Sequence, residues 1–276
     1  MSLDSTDNNF MQIAVDLAKN GAGKVSPNPL VGALIVKNGS IIGEGFHHKF
    51  GGNHAEVNAI GNNSVIDSTM YVTLEPCNHY GKTPPCTKRI IAEKIQRIIV
   101  GSVDPNPRMQ GRSIEYLKTH DIDVSVGILN SETEELIRFY AYWKKTGYPF
   151  VTVKLAVSAD GFIAGTDGQS KWISSHESRV EVHQMRAEYD AVLIGTNTLL
   201  LDNPALTVRH VTGRNPNRIV IDRRGIAKNT MRVFADNTNR IFYFSTIRRK
   251  DLPERVTQIL LNEAEFNLPL ILKILG

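Results

Sequence analysis

The sequence predicts an α/β protein built from two consecutive domains, and three observations carry that expectation. The chain has 276 residues, more than one typical domain uses. Strand-like and helical hydrophobic patterns alternate along both halves. Between the halves, Thr146-Gly147-Tyr148-Pro149 breaks a helical pattern, so domains over 1–146 and 147–276 are expected.

Each element has its own signal. Phe10, Ile13, Ala14, Leu17 and Ala18 recur at helical spacing and predict an N-terminal amphipathic helix. A buried strand is expected over 30–36, and Asn38-Gly39 is a two-residue hairpin turn that returns the chain through Ile41 and Ile42. Residues 54–60 read as a helix start, 70–74 as a strand, and 84–94 as a helix with proline in its first turn. A strand over 98–100, a helix over 114–120 and a strand over 124–128 follow. Ser131-Glu132-Thr133-Glu134 has the form of a capping box, opening a helix that runs to residue 145. In the second half, strands are expected over 150–157, 191–194, 218–221 and 241–244, and helices over 174–187 and 265–275. No internal repeat or low-complexity segment stands out.

Composition narrows the class without naming a function. Charged residues at 22% and hydrophobic residues at 41% are those of an ordinary soluble globular protein. A net charge of +4 suits anionic small molecules and gives little support to nucleic-acid binding. The one dense basic run, Arg248-Arg249-Lys250, reads as a solvated turn. No apolar run approaches the roughly 18–20 residues of a membrane span. The polar, acidic start Met-Ser-Leu-Asp-Ser-Thr-Asp is no secretory signal, so a cytoplasmic protein without membrane partners is expected.

Chemistry concentrates at His54, Glu56, Cys77 and Cys86. His-Ala-Glu is followed about twenty residues on by Glu-Pro-Cys and then by Pro-Pro-Cys. One histidine and two cysteines make a three-ligand zinc set that leaves a fourth position open for water, the catalytic arrangement. The glutamate two residues past the histidine is the proton carrier such a water needs, and the combination points to zinc-dependent deamination of nucleobase-like carbons. A structural zinc site or a Cys77–Cys86 disulfide is the alternative, and Glu56 would then be a surface carboxylate. Two of the ligands fall at helix starts, where thiolate is favoured over thiol.

The run Thr73-Leu74-Glu75-Pro76-Cys77-Asn78-His79-Tyr80-Gly81-Lys82-Thr83-Pro84-Pro85-Cys86 resembles the signature of the RibD family of bifunctional riboflavin-biosynthesis deaminase–reductases. Its eight-residue gap between cysteines separates it from cytidine and tRNA-adenosine deaminases, whose gap is two. Further similar stretches are Ser26-Pro27-Asn28-Pro29-Leu30-Val31-Gly32, Gly45-Phe46-His47 with Gly51 before His54, and Asp104-Pro105-Asn106-Pro107. The resemblance implies that Asn28, His47, His79, Asp104 and Asn106 line a deaminase pocket; each could instead be a turn residue. It implies a cytidine-deaminase-like three-layer domain followed by a dihydrofolate-reductase-like α/β domain.

The second half carries the same resemblance in 154–161, in Ser170-Lys171-Trp172-Ile173, in Gly195-Thr196-Asn197-Thr198 and in 202–209. By it, Ala156, Trp172, Thr198 and Asp202 would contact NADPH, and Ser170, Arg186, Leu206 and Arg209 the phosphoribosyl substrate. Arginine suits the latter role because its planar fork binds phosphate bidentately. Alone, Arg186 would be read as a surface ion pair and Trp172 as core. No G-x-G-x-x-G is present to announce a dinucleotide site.

One departure from the family pattern stands at the C-terminal end. The chain stops at Ile274-Leu275-Gly276, within a helix pattern, where the family continues into a further strand with a Glu-Gly-Gly-like motif. An incomplete reductase domain is therefore expected. The resemblance implies zinc-dependent deamination of 2,5-diamino-6-ribosylamino-4(3H)-pyrimidinone 5′-phosphate and NADPH reduction of the ribose to ribityl, in a homo-oligomer. The alternatives are a deaminase with a non-catalytic second domain and a nucleic-acid-editing deaminase.

Overall fold

Period-two alternation along the first-half strands makes a sheet with two apolar faces, which helices must cover. The computed structural model describes residues 5–170, 172–235 and 238–276, in two compact units, Met1–Phe150 and Val151–Gly276. In the first unit, α1 (Ser5–Lys19) leads into the hairpin β1 (Gly32–Lys37) and β2 (Ser40–Phe46). There follow α2 (Ala55–Ile60), β3 (Thr69–Leu74), α3 (Cys86–Ala92), β4 (Arg97–Ser102), α4 (Arg112–Lys118), β5 (Asp123–Val126), α5 (Asn130–Leu136) and α6 (Arg138–Thr146). The sheet order is β2-β1-β3-β4-β5, with β1 antiparallel to both neighbours and β3, β4 and β5 parallel. Asn38 and Gly39 take φ of +51° and +74°, as a two-residue hairpin turn demands.

The alternation builds a core on each face. Ala33, Ile35, Met70, Val72, Ile98 and Val100 meet Ala55, Ala59, Cys86, Ile90 and Leu117 from α2, α3 and α4. Leu34, Val36, Tyr71 and Ile99 meet Met11 and Ala14 of α1 on the other side. Each such fully buried branched side chain contributes on the order of 1.5–3 kcal/mol. On β2, a Cβ at Gly43 or Gly45 would strike the backbone of Ala55 or Ala59, so only glycine lets α2 lie this close.

Two first-half expectations are corrected. The helix predicted over 84–94 begins at Cys86, with Pro84 and Pro85 outside it. Pro85 forces Pro84 away from helical backbone, so the turn cannot start earlier. The capping box does not form. The residue before α5 is Leu129, at φ +49°, and Ser131 lies inside the helix. The buried Thr133 hydroxyl donates back to the carbonyls of Leu129 and Asn130 instead, and the helix breaks at Ile137 before α6.

The second unit contains α7 (His176–Glu188), β6 (Ala191–Gly195), α8 (Thr196–Asp202), β7 (Asn217–Ile221), β8 (Ile241–Ser245), β9 (Val256–Leu260) and α9 (Leu268–Leu275). Its sheet, β6-β7-β8-β9, is parallel throughout. Both faces are covered: Leu199, Val220, Val233, Ile241 and Tyr243 on one, Ile219, Phe244 and Ile271 on the other. Ser175 caps α7 by accepting from the Ser178 N–H, and Asn267 caps α9 by accepting from Leu270.

The strand expected over 150–157 is absent. Among the described residues no strand pairs with this segment, and Val151, Val153, Leu155 and Val157 are exposed along it. Apolar alternation nominates a strand, but a partner must satisfy its backbone. The helix α8 and the strand β9 were not expected. Nor is Arg249 solvated: its guanidinium donates to the carbonyls of Gly225 and Ala227, both at 2.7 Å, and pairs with Asp251.

Candidate metal centre and substrate pocket

The ends of β3 and β4, and the starts of α2 and α3, converge on one spot. His54 is the N-cap residue of α2, held in extended backbone (φ −75°, ψ 164°). Cys77 follows β3 after Glu75-Pro76, and Cys86 is the first residue of α3. His54 Nδ1 lies 3.4 Å from Cys77 Sγ and 3.3 Å from Cys86 Sγ, and the three candidate ligand atoms fall within 4.8 Å of one another. The Cys86 N–H points at Cys77 Sγ at 3.3 Å. Both cysteines are unbridged, so the disulfide alternative is not adopted. One imidazole nitrogen and two thiol sulfurs are the soft-to-borderline donor set that zinc takes, and the arrangement fits it.

Electrostatics divide these groups. Hydrogen bonding from the Cys86 thiol, seconded by His54 and the Cys86 N–H, brings the Cys77 thiol down to about 4. Cys86, sharing that proton and buried, is pushed up. His54 is raised, chiefly by its contact with the Cys77 sulfur. Glu56, 3% exposed on the first turn of α2, is raised by burial and then by the charge on Cys77. A carboxyl lifted by its surroundings is suited to taking up and returning a proton.

A cavity of about 330 Å³ opens beside this cluster. Its wall includes Asn28, His47, His79, Asp104 and Asn106, together with His54, Glu56 and Cys77. Asn28 Nδ2 lies 3.0 Å from His47 Nε2, and His47 Nδ1 lies 2.9 Å from the Asn53 carbonyl. The carbonyl requires a proton on Nδ1, so Nε2 accepts from Asn28. Burial lowers the His47 pKa, which favours the neutral ring, and the His47 and His54 rings meet edge to face at 5.5 Å between centroids. His79 is exposed, its Nδ1 3.4 Å from Met109 Sδ. The Asp104 carboxylate, raised by burial, accepts from the Asn106 N–H at 2.8 Å and the Tyr140 hydroxyl at 3.1 Å. The Asn106 side chain accepts from the Arg108 N–H, so it closes a turn as well as facing the cavity.

Sequence reasoning did not nominate Tyr140, Trp143 and Lys144, which α6 brings to the same cavity. They sit in no motif, and only the packing of α6 delivers them.

The residues expected to serve the second unit are placed less tightly. Arg186 donates to the Thr207 carbonyl at 2.9 Å, and the Arg209 guanidinium donates to the Thr207 hydroxyl at 3.1 Å. Leu206 sits between them in sequence, buried and in left-handed backbone at φ +57°. Arg186 is lowered by burial and by the charge of Arg209. Two like charges held together in this way suit an anion. Ser170 is half-buried, with no contact to this group among its described hydrogen bonds. Thr198, with Arg223 and Arg224, lines an open depression of about 400 Å³ at the ends of β6 and β7. Ala156, Trp172 and Asp202 lie outside that lining. Trp172 is not core: it is 71% exposed under the Arg179 guanidinium at 4.3 Å. Lys171 lies outside the described residues.

Known proteins resemble both units. A family model for the cytidine and deoxycytidylate deaminase zinc-binding region matches residues 4–102, and one for the RibD C-terminal domain matches residues 149–276. The riboflavin biosynthesis protein RibD of Aquifex aeolicus is 46% identical over 219 residues, 78% of this chain and 62% of that protein. The Escherichia coli protein of the same name is 37% identical over 280 residues, 96% of this chain and 76% of its own length. A crystal structure of a diaminohydroxyphosphoribosylaminopyrimidine deaminase/5-amino-6-(5-phosphoribosylamino)uracil reductase from Thermotoga maritima gives a TM-score of 0.90 at 42% identity, covering 98% of this chain and 77% of that one. The chain thus spans about three fifths of the Aquifex relative's length. The fold is a cytidine-deaminase-like three-layer domain followed by a dihydrofolate-reductase-like α/β domain.

Proposed function

The chain belongs to the RibD family, and on that footing we propose that it works in riboflavin biosynthesis. Its first reaction would be hydrolytic deamination of 2,5-diamino-6-ribosylamino-4(3H)-pyrimidinone 5′-phosphate. The observation that carries this is the convergence of His54, Cys77 and Cys86 within 4.8 Å at a cavity walled by Glu56. Those three side chains would hold zinc, which when bound supplies a Lewis acid that brings the ionisation of water near neutrality. Glu56 takes the proton released as water adds to the amino-bearing carbon. It then hands that proton to the amine, and the C–N bond breaks to release ammonia. Its elevated pKa supports both transfers. Asn28 and His47, locked to each other, orient the base, with Asp104, Asn106 and His79 in the same cavity wall.

The second reaction would reduce the ribose to ribityl, with NADPH as hydride source. Thr198 in the depression at the ends of β6 and β7, with Ala156, Trp172 and Asp202, would contact the cofactor; the arginines beside Thr198 fit its phosphates. Ser170, Arg186, Leu206 and Arg209 would hold the phosphoribosyl chain. The domains proposed for the two steps are 1–146 and 147–276. A cytoplasmic homo-oligomer completes the proposal; no helix among the described residues is long and apolar enough to cross a membrane, and exposed Val153, Leu155 and Phe162 offer contact surface.

A second reading keeps the deaminase and makes the other unit non-catalytic. It is favoured by one observation: Ala156, Trp172 and Asp202 do not line the depression that Thr198 lines.

Zinc-loaded protein incubated with the pyrimidinone phosphate, with and without NADPH, separates these readings when ammonia and NADPH oxidation are followed together. Ammonia with NADPH loss is expected. Ammonia alone would establish the second reading, and no ammonia would remove both.

A further inference from the structure

We infer that Glu75 is a positioning residue that fixes the pocket loop carrying Asp104 and Asn106, an inference that rests on the deaminase reading above. Glu75 directly follows β3 and is 3% exposed. Its Oε2 accepts from the Asp104 N–H at 3.1 Å and the Gly111 N–H at 2.9 Å. Its Oε1 accepts from the Ser113 N–H at 3.1 Å and the Ser113 hydroxyl at 2.6 Å. Four donors meet a carboxylate with about four lone-pair sites, so none is left for a ligand. The Glu75 N–H in turn donates to the Ser102 carbonyl at 2.9 Å, pinning the residue to the end of β4.

The geometry makes this more than an ordinary buried carboxylate. The three backbone donors stand at both ends of the 103–111 loop, so one side chain staples the loop shut. Within the staple, Asp104 accepts from the Asn106 N–H and the Met109 N–H donates to the Asn106 carbonyl at 2.8 Å. Met109 then meets His79. Two of the residues proposed to face the base, Asp104 and Asn106, therefore take their places from one carboxylate, and Met109 of the same loop touches a third, His79. That carboxylate belongs to the Glu-Pro-Cys motif, two residues before Cys77. The motif thus ties a metal ligand and the Asp104–Asn106 part of the pocket wall to the same strand end.

Glu75→Gln tests this, because its NH₂ cannot accept and must leave at least one of these N–H groups without its acceptor. KM for the pyrimidinone phosphate should rise about tenfold, the scale of one buried donor left unpaired, with kcat within about twofold. Zinc content should not change. Amide hydrogen exchange at Asp104, Gly111 and Ser113 should quicken by about the same factor. Unchanged exchange at those amides overturns the inference, and so does a fall in kcat at constant KM. A wild-type protein that releases no ammonia would sink the deaminase reading, while the exchange measurement still decides whether Glu75 holds the loop. If Glu75→Gln does not fold, Ser113→Ala removes one donor and leaves the carboxylate; it should move both readouts the same way by less, and no movement overturns the inference.

Discussion

Glu56 bears the sharpest demand of any single side chain, since one carboxyl must both accept and return a proton. Burial and the Cys77 charge raise its pKa, and the charge on His54 partly opposes them. Glu56→Gln keeps the shape and removes the proton exchange. The variant should lose about 10²–10⁴ in kcat for ammonia release, the usual weight of general acid–base help, with zinc content intact. Normal deamination by the variant would end the assignment. The cluster was legible in the sequence because metal chemistry tolerates so few residue types: His54, Cys77 and Cys86 announce themselves by kind and by spacing. The hold of Glu75 on the loop and the approach of Tyr140 and Lys144 were not legible. Both depend on which backbone N–H or helix face arrives from a distant part of the chain.

Between elements, helix α7 and the 206–210 loop show how a histidine can fasten two pieces of chain. His183, 4% exposed on α7, accepts from the Arg209 N–H at 3.0 Å through Nδ1, which therefore carries no proton. Arg186 from the same helix, and Arg209 and His210 from the loop, face it. Burial first, and those charges next, bring its pKa down to about 4. The sign follows from linkage. As pH falls below about 6.5 the unfolded chain takes up a proton that the folded one refuses, so stability is lost progressively toward pH 4. The second unit should lose melting temperature between pH 6.5 and 4.5, and His183→Gln, which retains an acceptor, should flatten that slope in calorimetry. An equal slope in the variant would place the titration elsewhere. Sequence reading met its limit at this same scale. It found β6, β7 and β8 from their apolar runs, yet named 150–157 a strand on alternation alone and passed over β9, whose Val256, Ile259 and Leu260 are split by Thr257 and Gln258. Pairing with β8 makes β9 a strand, and lack of pairing denies that state to 150–157.

Across the whole molecule, each unit has its own pair of cores, and the candidate metal ligands all belong to the first. The three ligands are separated in sequence, so an ion that binds them favours the folded first unit over its unfolded chain. At a free concentration a thousandfold above Kd the gain is about 4 kcal/mol, which for a unit of this size moves a melting temperature by about 8–16 °C. NADPH, if the second unit takes it, should act on that unit alone. Calorimetry of the zinc-loaded protein should then show two transitions that can be shifted separately. A chelator should lower the first by roughly that amount, and NADPH should raise the second. A single transition that the chelator lowers would mean that the units share one cooperative unfolding step. Movement of neither would mean that His54, Cys77 and Cys86 do not hold the ion, because binding that discriminates folded from unfolded chain must appear as stability.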